Sequence, residues 1–146
     1  MGDQAVQNTL RVREIEDSDI EAVIALWHKS GVAPSWNPPE RDIVFALRDT
    51  HSTILLGEAG DQLIASAMVG EDGHRGWVYY VAVDPEHQKS GLGREIMQAA
   101  ENWLVARGCW KVQLLIRASN QGVKNFYESI GYKDTETVCM KNVVEN

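Results

Sequence analysis

The run Gln88-Lys89-Ser90-Gly91-Leu92-Gly93-Arg94 brings two glycines and two basic side chains to the start of a predicted helix. A helix start carries backbone N–H groups with no intrahelical partner, and the helix dipole adds partial positive charge there. Glycine lets an anion approach that backbone without meeting a Cβ. The chemistry on offer is a cradle for pyrophosphate. Alone, the same pattern also describes a loop that merely turns into a helix. Two nucleotide-binding motifs are excluded by spacing. No GxxxxGK run followed by Ser or Thr occurs. A dinucleotide fingerprint would need a third glycine where Ile96 stands, and a tighter turn than residues 84–90 make.

The elements that must position this run follow from periodicity. Leu10 and Val12 alternate with Arg11 and Arg13, as in a half-buried first strand. Ser18 and Glu21 have capping-box spacing, and Ile20, Val23, Ile24 and Trp27 then repeat at helical intervals up to Gly31. VAPSWNPPE (32–40) reads as loop, followed by a short helix over 40–49. Thr53–Glu58 and Gln62–Val69 are predicted strands, joined by a hairpin through Ala59, Gly60 and Asp61. After a polar loop (71–76), residues 77–83 read as a central strand buried on both faces. The helix from Gly91 to Arg107 carries Leu92, Ile96, Ala99, Ala100, Trp103 and Leu104 on one stripe, and Gly108 closes it. WKVQLLI (110–116) is strand-like, so 77–83 and 110–116 should be parallel neighbours in a βαβ unit. Asn120 is placed to cap a short helix ending at Ile130, and a last strand is predicted over 132–143. The sum is an α/β fold with a mixed sheet, a single domain over 9–146 behind a flexible N-terminus at 1–8.

Composition narrows the function. The chain has 146 residues, 44% hydrophobic and 24% charged, which indicates a soluble globular domain rather than a disordered one. No apolar run approaches the roughly 20 residues of a membrane span, and MGDQAVQNTL lacks the basic and apolar regions of a signal peptide. A cytoplasmic protein with no membrane partner is expected. Lys plus Arg is 14 and Asp plus Glu is 21, a net charge of −7 that repels nucleic acid and draws in cations. Cys109 and Cys139 form no CxxC or Cys/His cluster, so neither a disulfide framework nor a metal site is expected. Both lie on predicted strands and read as core residues, while His28, His51 and His87 default to the surface.

Gln88 to Gly93 resembles the Q/R-x-x-G-x-G/A signature of the GNAT acetyltransferase superfamily, following a strand that ends Val81-Ala82-Val83-Asp84-Pro85. Asn120, Val123, Phe126-Tyr127, Gly131 and Tyr132 resemble that family's second motif, and the element order is similar across residues 9–143. PSWNPPE and EDGHRGWVYYVAV resemble a YpeA-like bacterial subgroup. The resemblance implies a mixed, mostly antiparallel sheet with a parallel pair and flanking helices, and acetyl-CoA as cosubstrate without a metal. The backbones of Val81, Ala82 and Val83 would pair with the pantetheine arm. Gln88, Lys89, Ser90, Gly91, Leu92, Gly93 and Arg94 would hold the pyrophosphate. Asn120 would hydrogen-bond the pantetheine, with Asn125 and Phe126 flanking it. Catalysis would fall to the Val83 N–H, donating to the oxyanion, and to the Tyr127 phenol, giving a proton to the leaving thiolate. Tyr127 also reads as an aromatic core residue of a short helix.

The attacking amine must be neutral, yet a lysine-like amine has a pKa of about 10.4. Some family members place a glutamate where this chain has Trp77, so Glu71, Asp72 and His74 become the candidates, directly or through water. The alternative for each is a solvated loop residue. Tyr79 and Tyr80 either line the cleft or pack in the core. Trp36, in the proline-rich loop, is either a lid over the acceptor site or a hydrophobic plug. The expected function is direct transfer of acetyl from acetyl-CoA to a primary amine, with no acyl-enzyme. The acceptor would be a small amine or a protein N-terminus or lysine, and cationic. The rival is a non-catalytic acyl-CoA-binding sensory module. A monomer or homodimer is expected.

Overall fold

A computed structural model describes residues 10–33, 38–88 and 91–145. The chain divides into two compact units, Met1–Leu115 and Ile116–Asn146. The first holds strands β1 (Arg11–Glu14), β2 (Ser52–Ala59), β3 (Gln62–Glu71), β4 (Gly76–Val83) and β5 (Val112–Gln113), with helices α1 (Ile20–Ser30), α2 (Pro39–Ala46) and α3 (Leu92–Val105). The sheet runs in the order β1-β2-β3-β4-β5, antiparallel throughout except for the parallel β4–β5 pair. The mixed, mostly antiparallel α/β architecture is therefore as expected.

One face of the sheet is covered by α1 and α2. Val23, Leu26 and Trp27 of α1 and Ile43 and Ala46 of α2 pack on Ile54, Leu56, Met68 and Ala82. Trp27 is fully buried, and its indole N–H donates to Ser66 Oγ at 2.8 Å, so its one polar atom is satisfied inside the core. Gly31 ends α1 at φ +82°, as its type suggested. Strand alternation assigns the opposite face to α3, which buries Leu92, Ile96, Met97, Ala100 and Leu104. Met97 takes the place expected for Ala99 and Trp103. Trp103 lies half-buried at the rim, its indole donating to Glu14 at 3.3 Å.

Several expectations change. The helix start at residue 20 is not capped by the Ser18–Glu21 pair. Asp19 instead accepts from the Glu16 N–H at 2.7 Å, because Arg13 grips both Asp19 oxygens at 2.8 and 2.9 Å and holds the carboxylate one turn earlier. The helix expected over 40–49 ends at Ala46. The strand buried on both faces is β3, with Ile64–Val69 all buried, whereas β4 leaves Tyr79 exposed. The strand expected over 110–116 pairs only at Val112–Gln113.

The second unit contains α4 (Gln121–Ser129), capped by Asn120, whose Oδ1 accepts from the Val123 N–H at 3.1 Å. The strand expected over 132–143 does not form. A strand needs a ladder, and the described residues of this unit supply no second strand, so Val138 and Met140 stay exposed. Cys139 is exposed and Cys109 lies half-buried outside any strand, so neither is the core strand residue expected.

Gly76 is where α3 comes closest to the sheet. A Cβ there would sit 2.6 Å from Leu104 Cδ1 and 2.9 Å from Cδ2. Leu104 is fully buried and has little room to yield. Gly76→Ala should lower stability by about 1–3 kcal/mol, read as a fall in the urea midpoint at unchanged slope. An unchanged midpoint would show that Leu104 repacks freely.

Candidate active site

The site is organised by a fault in the β3–β4 ladder. Ser66 pairs with Ala82 and Met68 with Tyr79, so two residues of β4, Tyr80 and Val81, face one residue of β3, Ala67. This is a β-bulge, and it bends the strand that carries it. Tyr80 takes φ +53°, a left-handed conformation that strains a bulky residue by roughly 1–3 kcal/mol. What holds it there is its ring, stacked on Trp27 at 4.0 Å and 3°. One consequence follows. Consecutive residues Tyr79 and Tyr80, which regular alternation would send to opposite faces, both line one cavity. On the other side of β4, pairing with β5 stops at Trp77, opposite Gln113, so among the described residues no strand of the sheet continues the ladder from Val78 to Val83.

The cavity has a volume of about 370 Å³ and lies between α2 and the adjoining ends of β3 and β4. Its walls include the aromatic rings of Phe45, Trp77, Tyr79 and Tyr80 and the carboxylates of Asp42, Glu71 and Asp72. Trp77 and Tyr79, two apart on β4, present parallel rings 6.2 Å apart. Of the expected acceptor-site residues, Glu71, Asp72 and Tyr79 line the cavity. His74 does not line it, and its backbone N–H donates to Asp72 at 2.9 Å. Trp36 lies outside the described residues. Asp42 and Phe45 were missed, because nothing in the sequence says which face of α2 fronts β4.

The rim carboxylates are tied down by their own loop. Asp72 accepts from the backbone N–H groups of Arg75 at 2.7 Å and His74, and from the Trp77 indole at 3.1 Å. These bonds lower its pKa from 3.8 to about 2. Glu71 accepts from His51 Nδ1 at 2.8 Å and from the Gly73 N–H at 2.8 Å, which also holds its pKa below the ordinary range. The same bond raises the pKa of His51. The bonds to Asp72 also order the loop that carries it. His51 lies at the surface, as expected, and also braces Glu71 from the neighbouring strand end.

The anion-binding expectation rests on the start of α3. Gly91 is the N-cap at φ +79°, and a Cβ built on it would meet nothing within 4 Å, so its surroundings are open as well as glycine-demanding. Leu92, Gly93 and Arg94 form the first turn, where N–H groups lack helical partners. Gln88 reaches back to the Val83 carbonyl at 3.2 Å, tying the loop to the end of β4. Asp84, buried, caps the turn at Pro85–His87 by accepting from Glu86 N–H and takes an ion pair from Lys29 at 3.0 Å. Lys89 and Ser90 lie outside the described residues. In the second unit, Tyr127 is buried with edge-on contacts to Phe126 at 5.0 Å and Tyr132 at 5.7 Å. Burial pushes its phenol up to about 12. Asn125 accepts from Gln121 at 2.8 Å. Asn120 uses its oxygen as the helix cap, which leaves its amide N–H groups as donors.

The Asp72 shift has a defined sign. A depressed folded pKa stabilises the fold above the unfolded value of 3.8, and that contribution disappears as pH falls through about 2. Asp72→Asn should therefore have a lower urea midpoint than the natural chain at pH 7, and the gap should close as pH is lowered from 4 to 2. A gap indifferent to pH would show that the Asp72 charge does not order the loop.

Residues 13–132 match the Acetyltransferase (GNAT) family. The chain is 33% identical over 138 residues to Acetyltransferase ECA0875 of Pectobacterium atrosepticum, covering 94% of this chain and 98% of that one. Among solved structures, aminoglycoside antibiotic 6'-N-acetyltransferase AAC(6')-IG of Acinetobacter haemolyticus has a similar fold, with TM-score 0.78 at 18% identity over 93% of this chain and 99% of that chain. AAC(6')-Iy, solved with the bisubstrate analog CoA-S-monomethyl-acetylneamine, gives TM-score 0.79 at 15% identity over 93% and 99% of the two chains. The bulged β4, the glycine-capped start of α3 and the Asn120–Tyr127 helix thus sit in a sequence that matches one family over most of its length, and the chain belongs to the GNAT acetyltransferase family.

Proposed function

We propose that this acetyltransferase moves the acetyl group of acetyl-CoA directly to the nitrogen of a primary amine, and that it belongs to the YpeA-like subgroup. The observation that carries the reading is the ladder-free stretch of β4 from Val78 to Val83, which begins beside a cavity of small-molecule size. An extended amide-bearing arm adds to such an edge as a strand would, through main-chain hydrogen bonds. In this reading the backbones of Val81, Ala82 and Val83 receive the pantetheine. Gln88, Lys89, Ser90, Gly91, Leu92, Gly93 and Arg94 receive the pyrophosphate. The amine enters from the cavity side, and the Val83 N–H steadies the oxyanion that forms on attack. The likeness of the fold to an enzyme solved with a CoA–amine bisubstrate analog supports this arrangement. The two free thiols fit a reducing compartment such as the cytoplasm.

Asn120, Asn125 and Phe126 serve the pantetheine arm in this proposal, and Tyr127 serves the leaving sulfur. A phenol with a pKa of about 12 stays protonated across the neutral range. Handing its proton outright to a thiolate of ordinary pKa, about 8.5, is uphill. Tyr127 therefore acts chiefly by donating a hydrogen bond to sulfur as the C–S bond breaks. Tyr127→Phe keeps the ring and its packing, so kcat should fall about tenfold or somewhat more, below the 10²–10⁴-fold typical of full proton transfer. The Kd for acetyl-CoA should hold. Ionisation of Tyr127 should leave the pH profile of activity untouched across the neutral range. Equal turnover by the two proteins would make Tyr127 a packing residue.

The cradle has its own test. Gly91→Glu adds a carboxylate to the open space at the start of α3, and imposes left-handed strain of about 1–2 kcal/mol. Calorimetry should show CoA binding abolished while circular dichroism shows the fold retained. A folded variant that binds CoA as tightly as the natural chain would remove the pyrophosphate from this loop. Wild-type protein that binds acetyl-CoA yet releases no thiol with any of a broad amine panel would favour a sensory module.

A further inference from the structure

The cavity beside β4 combines two surfaces. Trp77 and Tyr79 offer aromatic faces, and Phe45 and Tyr79 are 64% and 42% exposed. Such walls suit methylene chains and cations alike. The second surface is carboxylate, and its three members differ in what they do. Glu71 and Asp72 are held by the rim through His51, Gly73, His74, Arg75 and Trp77. Asp42 stands on the α2 wall, where it accepts from the Tyr80 hydroxyl at 2.6 Å. Tyr80 is fixed by its stack on Trp27 and by its place in the bulge. A carboxylate bonded to so rigid a donor is held in one orientation. The cationic side chain in the lining, Arg48, lies over the Phe45 ring at 3.8 Å and donates to the Phe45 carbonyl at 2.8 Å, which turns its charge onto α2.

Resting on the amine-acetylation reading above, we infer that the acceptor carries a second cationic centre besides the amine that is acetylated, and that Asp42, oriented by Tyr80, is the residue that recognises it. The reacting nitrogen points toward the open edge of β4. A short aliphatic span lies against Trp77 and Tyr79, and the distal ammonium or guanidinium meets Asp42. Asp42 is thus a specificity residue and Tyr80 its positioning residue.

The test compares two probes of equal length, 1,5-diaminopentane and 1-aminopentane, on the full chain with saturating acetyl-CoA. The diamine should have a kcat/KM about tenfold higher or more, carried by KM. Asp42→Asn should erase the preference by raising the diamine KM while kcat holds. Tyr80→Phe, which keeps the ring on Trp27, should narrow the preference without erasing it. A monoamine used as well as the diamine, or a preference that survives Asp42→Asn, would overturn the inference and leave amine acetylation standing. If neither probe is acetylated, the transfer reading is in trouble for these amines, and calorimetry on the CoA-saturated protein decides the inference separately. Diamine binding that weakens about tenfold in Asp42→Asn sustains it. No diamine binding, or binding indifferent to Asp42→Asn, overturns it.

Discussion

The stack of Tyr80 on Trp27 is the contact on which the site depends. A left-handed tyrosine inside a strand is unfavourable by itself and persists only where its surroundings over-determine it. Here they do. Trp27 is fully buried and pinned through its indole to Ser66, and Ser66 lies opposite Ala82, one residue past the bulge. The core of α1 and β3 therefore sets the shape of β4. From that one irregularity come the adjacent tyrosines on one face and the hydroxyl that reaches Asp42.

Much of this was legible in the residues and some was not. The glycine punctuation was readable, because Gly31 and Gly91 take positive φ at a helix end and a helix start, where glycine alone is comfortable. The β2–β3 hairpin and the α3 stripe were readable from periodicity. The bulge was not, since its left-handed residue is a tyrosine and no glycine marks it. Residues 132–143 show why alternation is not enough. The apolar spacing is present, but without a neighbouring strand in its unit it forms no ladder. The His51–Glu71 pair lay one step beyond the sequence, although the hairpin brings the two strand ends together. A one-residue irregularity at Gly57/Glu58 shifts the register, so counting back from the turn would have missed His51 by one. Asp42 needed the fold itself, which alone turns that face of α2 to β4.

Charge is arranged in the first unit by a division of labour. Two of its carboxylates are consumed in ordering the loop at 71–77, and they keep their ionised form through hydrogen bonds from backbone and indole donors. Asp84, at the far end of β4, is matched by Lys29 and anchors the turn before the glycine loop. Both ends of β4 are thus fixed by aspartates that cap turns, while its middle is bent by the core.

The edge strand β1 carries a separate consequence. Its sequence is RVRE, and among the described residues no strand pairs on its outer side. Arg11 and Arg13 both pair with Glu58 on β2, and Arg13 also grips Asp19. A second sheet docking along this border would meet a short strand whose charged side chains are already held by partners of their own, and having to break those pairs disfavours sheet growth along this edge. The edge thus bears on colloidal behaviour in concentrated solution, independent of anything the cavity does.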